Sequence, residues 1–402
     1  MPDLIESLRD HAGAGWVKAD LHIHTPASHD FKLRTMTPHE YIRVFQDAEL
    51  DLVGIADHST GAWIDQLKKA AKDFKSPRRV HILPGVEVSV GDIHLVLLFP
   101  ETFGEDHINF ILSNLDIAPD DWGNRDTVCT SKTVSQVATI VHDNDGLVVA
   151  AHCLSQKTGL LSGLSGQARV QALECVDVLE IKPDQSYEAA VRRAKELTNR
   201  QLPIIRGSDA HHPDELSSNV SFLKMKPTSF RGLSQVKYEP EQRIRFDRPG
   251  SPTHPHIIGL QVDQGLFAEE TLRFSPHLTT IIGGRGTGKS AILDLLRFGL
   301  GIGARSDFNE AMLRRRIQSF VGHGGVVRVY FQGEDGATYC SERSGDYTEI
   351  KERTVTSISF SGQPKLLKFV DGRFVRLATP LNEVFTVEFF WPGRGHGTDK
   401  AG

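Results

Sequence analysis

At 402 residues, with a 39% hydrophobic share and no apolar run near the ~20 residues that span a bilayer, the chain reads as two globular domains with no membrane partner. A formal net charge of −5 excludes an overall basic field, leaving only a local groove as a nucleic-acid surface; Arg314-Arg315-Arg316 is a small candidate that reads better as a solvated helix face. The cysteines Cys129, Cys153, Cys175 and Cys340 form no C-x-x-C pair and the charged N-terminus has no signal-peptide core, so nothing suggests a disulfide framework, and reduced thiols in a cytoplasmic location are expected.

In chain order, strand-like runs are expected at 18–23, 51–56, 81–88, 93–99, 147–151, 176–181 and 202–205, with helices at 132–144 and 187–198. Such alternation points to a largely parallel sheet or barrel. The runs at 80–88 and 93–99, split by Gly91-Asp92, read as a hairpin, so a regular eightfold barrel is not expected. The segment 161–167 reads as a flexible loop. The expected boundaries are a first domain over 1–240, a proline-rich linker over 241–256, a second domain over 257–390 and a disordered, glycine-rich tail over 391–402. In the second domain strands are expected at 257–260, 272–274 and 278–282, then a glycine-rich loop, a helix over 290–300, and antiparallel strands at 326–331 and 338–340.

The ends of the first-domain strands carry the chemistry. His22 and His24 lie two apart, so both imidazoles face the same way and can share an ion. Asp209 and His211 repeat that spacing, and His58, Glu87, His94 and His152 each follow an apolar run. Side chains at successive strand ends converge, as in barrel active sites. Imidazoles with carboxylates suit zinc, manganese or iron, and a carboxylate can bridge two ions. Closely spaced divalent ions favour phosphoester hydrolysis. Asp57 is expected to orient a histidine rather than bind metal. Arg206 is a candidate to grip a phosphate bidentately, with a structural salt bridge the equal alternative. Cys153 reads as a small buried residue, and His39, His107, His142 and His212 as surface positions.

Gly283-Gly284-Arg285-Gly286-Thr287-Gly288-Lys289-Ser290 satisfies the phosphate-loop pattern G-x-x-x-x-G-K-[ST] in full. Gly283, Gly286 and Gly288 let backbone N–H groups wrap a nucleotide's phosphates, Lys289 reaches them, and Ser290 is placed to ligate Mg²⁺.

The ordered series His22-x-His24, Asp57-His58, Gly85-x-Glu87, His94, His152 and Asp209-x-His211 resembles the PHP (polymerase and histidinol phosphatase) family over roughly residues 17–240. The resemblance implies a distorted (β/α)7 barrel with a trinuclear site: His22, His24, Glu87 and Asp209 on one ion, Glu87, His94 and His152 on a second, and His58 and His211 on a third. A further ligand is implied shortly after the first H-x-H, from His29 or Asp30. Residues 278–300 look like SMC/RecF-type ABC ATPases, and Phe360-Ser361-Gly362-Gln363 is similar to their Q-loop, with Gln363 as the Mg²⁺-sensing glutamine. The whole resembles TrlF-like proteins, a PHP domain joined to an SMC-like ATPase. The signature motif and acidic strand of such ATPases do not follow Gln363, so a partial P-loop α/β domain that binds ATP and Mg²⁺, in a truncated chain, is expected. Dimerisation through the ATPase segment is what the resemblance implies for a complete head. The expected function is a metal-dependent nuclease acting on DNA or RNA and coupled to nucleotide binding, in DNA repair or phage defence. The alternatives are a phosphatase for a small phosphorylated metabolite or nucleotide, and an ATP-responsive binding module with a vestigial site.

Overall fold

The computed structural model describes residues 13–74, 79–123, 128–216, 219–250, 252–268, 270–303, 307–352, 355–390 and 398–400. Contacts divide the chain into two units, one over residues 14–249 and one built on residues 250–402.

The first unit alternates strands and helices: β1 (Gly15–Ile23), α1 (Pro38–Asp47), β2 (Leu52–Ile55), α2 (Ile64–Asp73), β3 (His81–Leu83), β4 (Gly85–Val90), β5 (Ile93–Leu98), α3 (Glu105–Asn114), β6 (Cys129–Thr130), α4 (Val134–Asp143) and β7 (Leu147–Ala150). It continues through α5 (Gly166–Cys175), β8 (Val178–Ile181), α6 (Tyr187–Leu197), β9 (Ile204–Arg206), β10 (Ser221–Met225), α7 (Phe230–Val236) and β11 (Ile244–Arg245). Strands β2, β7 and β8 are buried at every position, the apolar run expected of parallel strands covered on both faces. Helix starts are written locally. Thr37 and Glu40 form a capping box on α1, as do Thr133 and Gln136 on α4.

One sheet has the order β11-β10-β1-β2-β3 and the other β6-β4-β5-β7-β8-β9. Pairs β1–β2, β7–β8 and β8–β9 are parallel, whereas β4–β5 and β5–β7 are antiparallel. Single bridges, Ile23 to Ala210 and His58 to Glu87, join the two sheets at both sides. Strands β1, β2, β4, β5, β7, β8 and β9 therefore follow one another round a circuit, distorted where the β4–β5 hairpin reverses direction and where single bridges replace ladders. Leu21, Leu98, Val149 and Ile205 fill its interior with Leu233 and Val236 of α7, so the open end is the one carrying the histidines.

Several expectations change. The run at 81–88 is two strands, because Pro84 interrupts the ladder and β3 pairs with β2 while β4 pairs with β5. The segment 161–167 is not a loop: it spans a helical turn (Leu160–Gly163) and the start of α5. Part of the expected linker, β11, pairs with β10 in the first sheet, so the division falls after Pro249. The tail 391–402 lies outside the described residues except for residues 398–400.

In the second unit, β12 (His256–Val262), β13 (Thr271–Arg273), β14 (Val326–Gln332), β15 (Thr338–Ser344), β18 (Lys365–Val370) and β19 (Arg373–Arg376) form one sheet, in the order β13-β12-β14-β15-β18-β19. Every pairing in it is antiparallel. Between β15 and β18 runs the hairpin β16 (Tyr347–Glu352) and β17 (Val355–Phe360). At the end, β20 (Glu388–Phe390) pairs with β21 (Thr398–Lys400), where disorder was expected. Helices α8 (Lys289–Gly299) and α9 (Asp307–Val321) bury Leu295, Phe298 and Ile317 against Leu260, Val329 and Phe331. The expected strand at 278–282 does not form. Leu278 and Ile282 are 86% and 87% exposed, with no strand beside them to complete a ladder. Arg314-Arg315-Arg316 is not a free basic face: Arg314 meets Glu310 and Arg316 meets Asp294, each at 2.8 Å. Among the described residues no helix is long and apolar enough to cross a membrane.

Candidate metal centre and phosphate loop

Nine ligand candidates converge at the open end of the strand circuit. Three groups of donor atoms each lie within 4.8 Å of one another: His22, His24, Glu87 and Asp209; Glu87, His94 and His152; and His24, Asp30, His58 and His211. The first two groups are those the PHP resemblance implies. The third supplies the ligand that sequence left open: Asp30 stands 2.8 Å from His211 Nε2 and 3.5 Å from His58 Nε2. His29 enters none of the groups.

His24 occurs in two groups but has one nitrogen to give. Its Nδ1 meets Ser28 Oγ at 2.9 Å, while Nε2 lies 3.2 Å from both His22 Nε2 and Asp209 Oδ1. That places it with the first group. Glu87 Oε2 lies 3.4 Å from His22 and 3.1 Å from His58, and Oε1 lies 3.0 Å from His94 and 3.5 Å from His152, so one carboxylate spans the centre.

The donors fit a cation better than they fit each other. Glu87 Oε2 and His211 Nε2 are buried without a hydrogen bond of acceptable geometry, although His58 Nδ1 lies 3.1 Å from the first and Asp30 Oδ2 2.8 Å from the second. Two imidazole nitrogens 3.2 Å apart with carboxylate oxygens alongside are lone pairs converging on shared points. Backbone is strained to hold this arrangement. His152 (φ 31°) and Asp209 (φ 52°) occupy the left-handed region, which costs a side-chain-bearing residue about 1 kcal/mol or more.

The outward nitrogens and oxygens are fixed by a surrounding set. His22 Nδ1 lies 3.1 Å from both oxygens of the fully buried Glu180. Thr158 Oγ1 meets His152 Nδ1 at 3.1 Å. Asp57 accepts from Thr25 N, Thr25 Oγ1 and Ser28 Oγ at 2.6, 2.7 and 2.8 Å, so it orients His24 through Ser28, as expected for a residue that binds no ion. Gly207 has no room for a Cβ, which would sit 2.6 Å from Glu180 Oε2.

Charge within the centre is mutually induced. Burial opposes a proton on His22, but Glu180, Glu87 and Asp209 outweigh it and raise its pKa well above the ordinary value. Burial likewise opposes charge on His58, yet Glu87 and Asp30 push it up to about 9. His24 is pushed down to about 3 by burial, only partly offset by Asp209, with His211 and His58 adding to the fall. Glu87 stays well below the carboxylate range despite burial, because His22 and His58 face it. Burial, with the charge of Glu180 adding to it, drives Cys153 upward, as befits an inert buried thiol.

Arg206 does not reach the centre. Its guanidinium stacks on Phe246 at 4.4 Å, away from the pocket, which overturns the phosphate-gripping role. The cation on the pocket wall is Lys182, two residues beyond Glu180 and on the same side of the chain, with Nζ 2.6 Å from Asp209 Oδ2. Sequence reasoning passed over Glu180 and Lys182. The available signal was a lone carboxylate in an apolar strand, Val178–Ile181, followed at period two by a cation.

In the second unit Gly286 (φ 84°) and Gly288 (φ 87°) take conformations that require glycine, and α8 begins at Lys289. Lys289 Nζ donates to the carbonyls of Gly283 and Gly284 at 2.6 and 2.5 Å, and Thr287 Oγ1 to Gly284 O at 2.9 Å. Gln363 is not brought to this loop. Its neighbour Gly362 accepts from Arg343, which also donates to Phe298 O, and Pro364 lies against Gly301. Those contacts are at the far end of α8, where Phe298 is about 13–14 Å along the helix axis from Lys289. The Q-loop role is therefore withdrawn.

Residues 265–370 match a family described as an AAA domain. No curated protein matches the chain. Among solved structures, the lesion-specific endonuclease EndoQ from Pyrococcus furiosus is similar at 18% identity and a TM-score of 0.44, over 55% of this chain and 56% of that one. A complex of Endonuclease Q with a 27-mer duplex carrying an abasic lesion gives 17% and 0.44, over 56% and 57%. This chain thus spans little more than half the length of those two. A two-domain protein from Bacteroides vulgatus, containing a predicted PHP-like metal-dependent phosphoesterase, is similar at 12% and 0.42, over 92% of this chain and 97% of that one. The chain joins an AAA-type segment to an α/β unit whose histidines and carboxylates are arranged as the PHP resemblance implies.

Proposed function

We propose that the chain is a metal-dependent phosphoesterase that cleaves DNA or RNA, with nucleotide binding at the phosphate loop of its second unit. The observation that carries this reading is the spanning carboxylate: Glu87 belongs to two donor groups at once, which suits ions held a few ångströms apart. Zinc, manganese or iron suits the donors, and such ions would activate a water and neutralise the charge building on a phosphoryl group. The chain's own residues do the rest. Glu180, Ser28 and Thr158 hold three imidazoles with one nitrogen facing inward. The pocket above the donors, about 600 Å³ and walled by Ser155, Gln156, Gln185 and Ser186, admits a polar chain or ester.

Pairing with a phosphate loop favours the polymer over the small ester, since ATP and Mg²⁺ held by Lys289 and Ser290 would then govern access to the substrate. A homodimer through the ATPase segment, a cytoplasmic location, and a role in DNA repair or phage defence belong to the same reading. The runner-up is a phosphatase for a small phosphorylated metabolite or nucleotide. The test is incubation of the Mn²⁺-loaded chain with end-labelled single- and double-stranded DNA and RNA beside p-nitrophenyl phosphate, with His22→Ala as control. Polymer cleavage lost in the variant is expected. Turnover of the monoester alone would favour the phosphatase, and cleavage that survives His22→Ala would remove the site assignment.

A further inference from the structure

The pocket over the donor groups has one lysine and no arginine among its described lining residues, and the lysine is Lys182. It stands just beyond β8 on the side of Glu180, and Pro183 follows it, fixing φ at that next position. Its ammonium meets Asp209 Oδ2 at 2.6 Å. The other oxygen of that carboxylate, Oδ1, faces inward at 3.3 Å from His22 Nε2 and 3.2 Å from His24 Nε2. Asp209 is thus divided, with one oxygen in the donor group and one holding an ammonium at the pocket wall. A lysine ammonium has three N–H groups and Asp209 uses one. The side chain is 37% exposed and lines the cavity, so the others are within reach of whatever enters. No aromatic ring besides the histidines lines the described pocket, which leaves a nucleobase nothing to stack on.

We propose that Lys182 is the substrate-anchoring cation of this centre, donating to a non-bridging phosphoryl oxygen of an ester seated beside Asp209. The inference rests on the phosphoesterase reading above and deepens it: substrate is held by its phosphate rather than by its base, so cleavage is tolerant of sequence. Lys182 takes the part that sequence spacing offered to Arg206.

The competing role is purely structural, a salt bridge that keeps Asp209 in place, and the test separates the two. In the full chain loaded with Mn²⁺, Lys182→Ala and Lys182→Arg are compared with wild type for hydrolysis of bis(p-nitrophenyl) phosphate, inhibition by inorganic phosphate, and bound manganese. Lys182→Ala is expected to raise KM and the phosphate inhibition constant roughly ten- to a hundredfold, the loss of one charge-assisted hydrogen bond. Bound manganese stays at the wild-type level, and Lys182→Arg recovers most of the affinity. Unchanged KM and phosphate inhibition in Lys182→Ala would overturn the proposal, as would a loss of manganese that accounts for the lost activity. If the wild-type chain hydrolyses no ester, the phosphoesterase reading fails by itself. Calorimetric binding of inorganic phosphate to the Mn²⁺-loaded chain then still decides the role of Lys182: weaker binding in Lys182→Ala supports it, and equal binding overturns it.

Discussion

The His22 ring is fixed through the nitrogen that faces away from the centre, 3.1 Å from both oxygens of Glu180, while Nε2 is left for an ion. Substituting Glu180 by Gln removes the charge but keeps the shape, so the fold survives and the imidazole loses its electrostatic anchor. Metal affinity is expected to fall ten- to a hundredfold, read by competition with a chromophoric chelator, with the circular-dichroism spectrum unchanged; wild-type affinity would contradict the assignment. His58 gives a pH dependence with a definite sign. Its folded pKa of about 9 lies above the ordinary 6.5, so the protonated ring stabilises the metal-free protein below about 6.5, and that contribution is lost as pH rises through about 9. Metal must displace the proton, so apparent Mn²⁺ affinity is expected to climb from pH 6.5 to 9 with proton release shrinking over the same range. Affinity that falls across this window by calorimetry would contradict it. Most ligands were legible because H-x-H and D-x-H at period two announce a shared direction. Glu180 was not, because a single buried carboxylate inside Val178–Ile181 has no partner in sequence, and its meaning comes from His22, 158 residues away.

Among the elements, the join between α4, β7 and β8 turns on Asp177, which precedes β8. Its carboxylate accepts from Val148 N at 3.0 Å in β7, pairs with His142 Nε2 at 2.8 Å in α4, and with Lys237 Nζ at 3.0 Å just after α7. Burial raises the pKa of Asp177, but these partners outweigh it and leave it below the carboxylate range. Its contribution is therefore complete above the ordinary carboxylate value and is lost as pH falls below it. His142 and Lys237 are part-exposed, so water screens much of their attraction. Asp177→Ala is expected to cost about 2 kcal/mol, chiefly from the orphaned Val148 N–H, and to lower the melting temperature at pH 7 by roughly 4–8 °C. An unchanged melting curve would show the join to be redundant. Strand and helix positions in this unit were readable because apolar runs and capping boxes are local signals. The expected strand at 278–282 was not safe to read that way, since Leu278 and Ile282 have the composition of a strand but no neighbour to pair with.

Over the whole molecule, the metal-ligand residues and the phosphate loop sit on separate apolar cores, one within residues 14–249 and one around Leu295, Phe298 and Val329. Binding at one is then expected to survive loss of the other. Lys289→Ala should abolish binding of a fluorescent ATP analogue while leaving bound manganese at wild-type stoichiometry. Loss of both together would contradict independent folding of the two sites. The division after Pro249 falls within the expected linker 241–256, but the prolines there masked Ile244–Arg245, which still adds a strand to the first sheet.

The central claim is that the histidine and carboxylate cluster is a metal-dependent phosphoesterase site, and its most direct measurement is the rate of bis(p-nitrophenyl) phosphate hydrolysis as metal-stripped protein is reloaded stepwise with Mn²⁺. The account predicts no hydrolysis in the stripped protein, a rate that rises only once more than one ion is bound per chain, and no rise in Glu87→Ala, which lacks the spanning carboxylate. A chain that fills with manganese and hydrolyses neither this ester nor any nucleic acid, or one whose hydrolysis ignores occupancy, would contradict it.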